Sequence, residues 1–156
     1  MSAQALCYTT VLPDDIITGS TPGIGQLMKI ALQEKCNIVA VQEVPMQEID
    51  KYGVIAGTAE RAGLTRVTEM VEKPPQEEAP SNLAVIGRYI LTPDIFDIIR
   101  STPPGRNGEV QLTDALQVQA SAGRVLAYQF DGLRFDCGSV PGFVEATQHV
   151  YEHYYG

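Results

Sequence analysis

Residues 23–44 read GIGQLMKIALQEKCNIVAVQEV, and their pattern determines the predicted fold. The first part of this stretch predicts an amphipathic helix over residues 23–35, because its apolar side chains recur at helical spacing. These side chains are Ile24, Leu27, Met28 and Leu32. Its last part, residues 37–44, is apolar and rich in branched side chains, which predicts a buried strand. The chain is therefore expected to place a helix immediately before a central strand.

Residues 5–12, ahead of this stretch, form another apolar run that ends at Pro13. This run predicts a strand that is buried on both faces. Strand, helix and strand in this order predict a right-handed crossover between two parallel strands. The fold class that follows is α/β.

The rest of the chain mixes short strands with helices. Thr92 and Pro93 predict the N-cap and first turn of one helix, and a later helix is expected to bury Leu116 and Val118 in part. The predicted elements are a hairpin (residues 52–55 and 65–71), strands (82–91, 124–130 and 134–137), helices (93–100, 113–122 and 140–155) and loops (74–81 and 102–108).

Composition limits the classes of function. The 156 residues are 44% hydrophobic and 19% charged, which is typical of one globular domain. A net charge of −8 with 11 Lys and Arg argues against nucleic-acid binding, which needs clustered cations. The three cysteines have neither zinc-ligand nor disulfide-framework spacing, and no apolar run is long enough to span a membrane. We therefore expect a cytoplasmic protein with no nucleic-acid or membrane partner.

Carboxylates follow two of the predicted strands. Asp14 and Asp15 come directly after the first apolar run, and Asp136 lies in Phe135-Asp136-Cys137-Gly138 at the end of another. Carboxylates at strand ends can share one Mg²⁺ that also binds substrate phosphates. Pro-Asp-Asp and Asp-Cys-Gly are also good turn sequences, so ordinary turns remain the alternative.

Glu72, Lys73 and Pro74 form a second candidate site at the end of a predicted strand. Pro74 ends the strand, which allows both charged side chains to reach one ligand. Glutamate can accept hydrogen bonds from sugar hydroxyls, and lysine can bind a phosphate as a point charge. Gly53, within the hairpin, fits close approach of a ligand. The alternatives are a surface charge pair and a β-bulge.

Taken together, the motifs resemble those of the bacterial glucose-1-phosphate uridylyltransferases and, more distantly, of the thymidylyltransferases in the same nucleotidyltransferase superfamily. The resemblance covers nearly the whole chain and keeps the family's order and approximate spacing. Its eight motifs are LPDD (12–15), VQEVP (41–45), YGV (52–54), VEKP (71–74), APSNLA (79–84), GRY (87–89), EVQLTD (109–114) and DCG (136–138).

The resemblance implies an incomplete Rossmann-like nucleotide-diphospho-sugar transferase fold, with a mixed sheet, flanking helices and a small antiparallel insertion. It also implies residue roles. Asp14 and Asp136 match the family's Mg²⁺ ligands, Gly53 and Glu72 match residues that hold glucose, and Lys73 matches the lysine on the sugar phosphate. Catalysis would then rest on Lys73, Asp14 and Asp136. The implied reaction joins UTP and glucose 1-phosphate into UDP-glucose and releases pyrophosphate.

Members of this family begin with a G-x-G-T-R nucleotide loop, which this sequence does not contain. We therefore expect residues 1–156 to form a single domain that corresponds to the C-terminal, sugar-phosphate-binding part, without the N-terminal nucleotide-binding part. The isolated chain is expected to be inactive and to form a homodimer or higher oligomer through apolar surface. The alternative is a non-catalytic module that binds a sugar phosphate or only self-associates; pyrophosphate release from UTP and glucose 1-phosphate would distinguish the two.

Overall fold

A computed structural model describes residues 7–105 and 108–156. These ranges contain eight strands, four α-helices and two short 3₁₀ helices, Met46–Lys51 and Gln76–Glu78. The strands are β1 (Tyr8–Val11), β2 (Asp15–Thr18), β3 (Asn37–Glu43), β4 (Gly53–Arg61), β5 (Leu64–Glu72), β6 (Leu83–Leu91), β7 (Val125–Gln129) and β8 (Leu133–Asp136). The helices are α1 (Gly23–Glu34), α2 (Ile95–Ser101), α3 (Leu112–Ser121) and α4 (Val140–Tyr154).

Six strands form one mixed sheet in the order β1-β6-β3-β7-β5-β4. The β3–β7 pair is parallel, and the other neighbours are antiparallel. β4 also pairs with β6, so the β4–β5 hairpin reaches back across the sheet. Strands β2 and β8 form a separate antiparallel pair. The predicted α/β class, with a mixed sheet, flanking helices and an antiparallel hairpin, is confirmed.

Strand β3 is the centre of the core. Residues 37–41 are each no more than 1% exposed, because helices cover both faces of the sheet around them. Ile38 and Ala40 pack on the side of helix α1, with its Leu27. Val39 and Val41 pack on the other side, with Leu116 of α3. The alternation follows the two-residue period of a strand, which divides one apolar run between two core clusters.

The prediction for residues 5–12 is wrong in two respects. The strand within the described residues is only Tyr8–Val11, and its ends are exposed: Tyr8 by 41% and Val11 by 48%. It pairs with β6 at the edge of the sheet, so the parallel neighbour of β3 is β7. An apolar run indicates a strand but carries no information on which strand lies beside it. Residues 5 and 6 lie outside the described residues.

The helices were predicted at nearly their observed positions, with local differences. Leu32 is 62% exposed and Val118 is 55% exposed, because each lies on the side of its helix away from the buried residues such as Leu27 and Leu116. The Thr92 hydroxyl donates to the Asp94 carboxylate instead of capping α2. Helix α4, the longest in the described ranges with 15 residues, falls short of a membrane span, as do the others there.

The core assignment predicts a large contrast between two similar substitutions. Ile38→Ala leaves a cavity in the centre of the sheet and is expected to lower the free energy of unfolding by about 2–5 kcal/mol. Leu32→Ala, at an exposed position of α1, is expected to change it by less than about 0.5 kcal/mol. Urea unfolding of both variants measures the difference. Equal losses would contradict the placement of β3 at the centre.

Candidate active site

The pairing of β2 with β8 brings the two predicted acidic turns together. Asp15 lies opposite Asp136 in this pair, and the Cys137 amide donates to the Asp14 carbonyl at 2.7 Å. Gly138 then lies between the two carboxylates. A side-chain carbon at Gly138 would lie 3.1 Å from Asp136 Oδ1 and 3.5 Å from Asp14 Oδ2. The absence of a side chain at this glycine therefore leaves space next to both carboxylates.

The backbone around Asp136 is fixed by the start of helix α4. The Ser139 hydroxyl donates to the Asp136 carbonyl at 3.1 Å and accepts from the Gly142 amide at 3.2 Å, which caps the helix. A side chain at Gly142 would collide with the Asp136 carbonyl, so glycine is required for this approach. The Gly138 amide donates to Asp136 Oδ1 at 3.1 Å. These contacts hold the Asp136 carboxylate in one orientation.

The Asp14 and Asp136 pair fits a hard divalent cation such as Mg²⁺ or Mn²⁺ better than a softer ion such as Zn²⁺ or Cu²⁺. Its donors are carboxylate oxygens, and Mg²⁺ in phosphate sites is usually held by one or two carboxylates plus substrate phosphates and water. Asp14 is exposed and Asp136 is partly exposed, so both remain accessible. In the described ranges, no group of three or more His, Cys, Asp or Glu residues forms a closed metal cage.

Asp15, the third predicted carboxylate, has a different environment from its neighbour Asp14. It is 8% exposed, and its Oδ2 accepts from the Gly87 amide at 3.0 Å while its Oδ1 accepts from Arg134 Nε at 2.5 Å. Arg88 donates to its backbone carbonyl as well. All of these contacts tie Asp15 to the fold. Adjacent aspartates in one turn thus divide into a structural residue and an accessible one.

The second predicted site is built on the β4–β5 hairpin. Gly53 lies opposite Glu72 in this pair, and the Thr113 hydroxyl at the start of α3 donates to Glu72 Oε2 at 2.5 Å. A side chain at Gly53 would lie 3.2 Å from Glu72 Oε2 and 3.3 Å from Thr113 Oγ1. The glycine therefore leaves the glutamate accessible from the hairpin backbone. The geometry brings Gly53 and Glu72 together, as the second site requires.

Lys73 directly follows the last residue of β5. Its φ is 44°, in the left-handed region that residues other than glycine seldom adopt, and its amide donates to the Tyr52 carbonyl at 3.0 Å. This turn lets Lys73 and Glu72 line the same cavity, of about 570 Å³. In a continued strand their side chains would point to opposite faces. Residues in such strained conformations concentrate at functional sites.

Tyr89 on β6 links the two predicted sites electrostatically. Burial raises the pKa of its phenol to about 12, and the carboxylates of Glu72, Asp15 and Asp14 add to the shift. Glu72 belongs to the sugar-side candidates and Asp14 to the metal-side candidates. Carboxylates from both candidate groups therefore raise the pKa of the same phenol.

Several residues that shape the site were not assigned a role from the sequence. Thr113 and Tyr89 lie in quoted motifs, EVQLTD and GRY, which could have indicated them. Tyr52 lies in YGV but was noted only for the glycine. Arg134 had no signal, because a single arginine in a short strand does not indicate its partners.

Comparisons with known proteins agree with this geometry. The Nucleotidyl transferase family matches residues 1–153. A UTP–glucose-1-phosphate uridylyltransferase of Pseudomonas aeruginosa is 56% identical over 95% of the chain and 54% of its own length. One of Bacillus subtilis is 42% identical over 90% of the chain and 48% of its own length. The chain spans about half the length of the curated relatives it matches.

A solved structure shows the same likeness in three dimensions. The crystal structure of UDP-glucose pyrophosphorylase complexed with UDP-glucose has a TM-score of 0.89 and 49% identity, covering 94% of this chain and 56% of that one. These matches confirm the resemblance drawn from the eight motifs.

The Tyr89 environment predicts a pH dependence of stability. The pKa is about 12 in the folded chain and 10.0 in an unperturbed tyrosine, so the unfolded chain loses the phenol proton first. This contribution to stability, up to about 2–3 kcal/mol, is present below pH 10 and is lost as the pH rises towards 12. Urea unfolding across this range should show a smaller loss in Tyr89→Phe than in the wild type. Tyr154→Phe, at an exposed tyrosine, is the control and should behave like the wild type; an equally small loss in it would contradict the assignment.

Proposed function

The chain belongs to the nucleotidyl transferase family, and from that premise we propose that it provides the sugar-phosphate and metal side of a site that transfers uridylyl from UTP to glucose 1-phosphate. The observation that carries the proposal is the contact that Tyr52 makes with both predicted residue groups: its hydroxyl donates to Asp136 Oδ2 at 3.3 Å, and its carbonyl accepts from the Lys73 amide at 3.0 Å. Relatives named for this reaction support it. Residues 1–156 would form one domain of that site.

The sugar is assigned to the hairpin. Glu72 accepts hydrogen bonds, and its carboxylate is already oriented by the Thr113 hydroxyl, so less ordering is needed when a sugar hydroxyl binds. Gly53 lets the sugar approach the backbone closely, since a side chain there would occupy the space beside Glu72. A site whose fixed carboxylate accepts a hydrogen bond from a substrate hydroxyl strongly rejects an analogue that lacks this hydroxyl.

The phosphate of the sugar is assigned to Lys73. The cavity that Lys73 lines is otherwise acidic, with Glu72, Glu78, Glu109 and Asp114, and Lys73 is the lysine among its lining residues. An ammonium group next to the phosphate offsets its charge and holds it in place. A phosphate oxygen is the proposed nucleophile, which forms a bond to the α-phosphorus of UTP as the bond to pyrophosphate breaks. This oxygen is already anionic, so the reaction needs no general base.

Asp14 and Asp136 are the residues proposed to hold Mg²⁺. When bound, the ion neutralises negative charge on the phosphates that react. The two aspartates contribute accessible oxygens, and the contacts around Gly138 and Ser139 keep Asp136 oriented before any ligand binds. Preorganisation of this kind lowers the barrier because the site does not have to rearrange during the reaction.

Binding of glucose 1-phosphate tests the sugar-phosphate assignment. Calorimetry with glucose 1-phosphate and Mg²⁺ should show binding to the wild type, weakened by about tenfold or more in Lys73→Ala, because a charge-assisted hydrogen bond is lost. Lys29→Ala, an exposed lysine on α1, is the matched control and should bind as the wild type does. Equal affinity in Lys73→Ala and Lys29→Ala would refute the role of Lys73.

We also propose that the chain self-associates as a homodimer. Its three cysteines are unpaired, as is usual for a protein of the cytoplasm, where we propose that it acts. Helix α4 buries only Gly142 and Ala146 among its own residues, and it leaves a large apolar surface exposed. The exposed side chains are Val140, Phe143, Val144, Tyr151 and Tyr154, each 57–80% exposed. Exposed apolar patches of this kind are rare in monomers, and a symmetric pair covers the same patch on both subunits.

Light scattering across a dilution series tests the dimer. Phe143→Glu puts a charge into the apolar surface of α4. It should raise the dissociation constant of the dimer tenfold or more, since an unpaired buried charge is costly (roughly several kcal/mol). Leu32→Glu makes the same change at an exposed apolar position of α1 and should leave association unchanged. A wild type that is monomeric at all concentrations would contradict the proposal.

A further inference from the structure

Two carboxylates face each other in the β2–β8 pair, which is unfavourable unless a positive charge lies beside them. Asp15 and Asp136 are directly opposite each other, and like charges at opposed positions destabilise a strand pair. Asp136 cannot turn away freely, because Gly138 and Ser139 hold it in place. Asp15 is buried and cannot reach solvent. Some other group must neutralise this pair.

Arg134 precedes Asp136 by two residues on β8, lies diagonally across from Asp15 on β2, and contacts both carboxylates. Its Nε donates to Asp15 Oδ1 at 2.5 Å, and its Nη2 lies 3.5 Å from Asp136 Oδ2. The arginine side chain is only 10% exposed, so solvent screens these interactions little. Burial lowers the pKa of Arg134, but the hydrogen bonds to Tyr52 and Asp15 outweigh that effect and leave the pKa raised.

Tyr52 extends the contact between Arg134 and Asp136. Arg134 Nη1 donates to the Tyr52 hydroxyl at 3.3 Å, and the hydroxyl in turn donates to Asp136 Oδ2 at 3.3 Å. The guanidinium also lies 5.1 Å from the centre of the Tyr52 ring. The Tyr52 carbonyl accepts from the Lys73 amide, so the same residue touches both predicted sites. Oδ2 of Asp136 is thus held from one side by Arg134 and Tyr52.

We propose that Arg134 is a positioning residue that, together with the Tyr52 hydroxyl, sets the orientation and charge of Asp136 for binding a divalent cation. The role rests on the proposed metal pair, Asp14 and Asp136. Arg134 neutralises Asp15, which would otherwise repel Asp136, and it holds Oδ2 so that Oδ1 stays on the Asp14 side of Gly138. Groups that orient a metal ligand without touching the metal typically change metal affinity by about 10- to 100-fold.

Mn²⁺ affinity of the folded chain, measured by calorimetry, tests the proposal. Arg134→Met should lower the affinity by on the order of 10- to 100-fold. Arg134→Lys keeps the charge without the planar fork and should lose less. Tyr52→Phe removes one hydroxyl and should lower the affinity roughly 2- to 10-fold. Arg61→Met, at an exposed arginine paired with Glu34, is the matched control and should bind like the wild type.

The outcomes separate the role of Arg134 from the metal site itself. No Mn²⁺ binding by the wild type, or unchanged binding by Asp136→Asn, overturns the metal pair and this role with it. Wild-type affinity in Arg134→Met, with Asp136→Asn impaired, overturns only the role of Arg134, and wild-type affinity in Tyr52→Phe overturns that of the Tyr52 hydroxyl. Should Arg134→Met fail to fold by circular dichroism, Arg134→Lys and Tyr52→Phe decide the question: affinities equal to that of the wild type in both refute it.

Discussion

The antiparallel pairing of β2 with β8 is the constraint on which the site depends. It joins residues from the two ends of the chain, and the Cys137 amide extends it by donating to the Asp14 carbonyl. The LPDD and DCG turns therefore meet at Gly138. The six-stranded sheet also contacts this pair, since the Gly87 amide on β6 donates a hydrogen bond to Asp15 Oδ2. A short ladder of backbone hydrogen bonds thus determines which carboxylates are neighbours.

This pairing concentrates negative charge in a protein that already has a net charge of −8. The two adjacent aspartates of this pair lie in different environments. Asp15 is buried and held by Arg134, Arg88 and a backbone amide, whereas Asp14 remains exposed. Breaking a buried pair by removing one partner is costly, because it leaves an uncompensated charge. The buried Asp15–Arg134 pair holds the two strands in place, and the more exposed carboxylates of Asp14 and Asp136 remain available for a ligand.

Much of the fold could be predicted from the sequence, and the limits have physical causes. Residues 37–44 and 82–91 were predicted as strands because apolar runs report burial directly. The partner of β1 was predicted wrongly, because pairing is decided by contacts between residues distant in sequence. Asp14, Asp136, Gly53, Glu72 and Lys73 were selected by motif and lie in two adjacent groups. Arg134 was missed because its partners are side chains of other elements, which no local pattern reveals. Thr113 was missed although it lies in the EVQLTD motif.

We propose that the acidic turns and the hairpin form one site. Amide NMR spectra recorded first with Mn²⁺ and then with glucose 1-phosphate test this proposal. We expect Mn²⁺ to broaden the Cys137 and Gly138 amides and glucose 1-phosphate to shift those of Gly53 and Lys73. Broadening centred instead on the exposed acidic turn at Gln76–Glu78, with Gly138 unaffected, would contradict it.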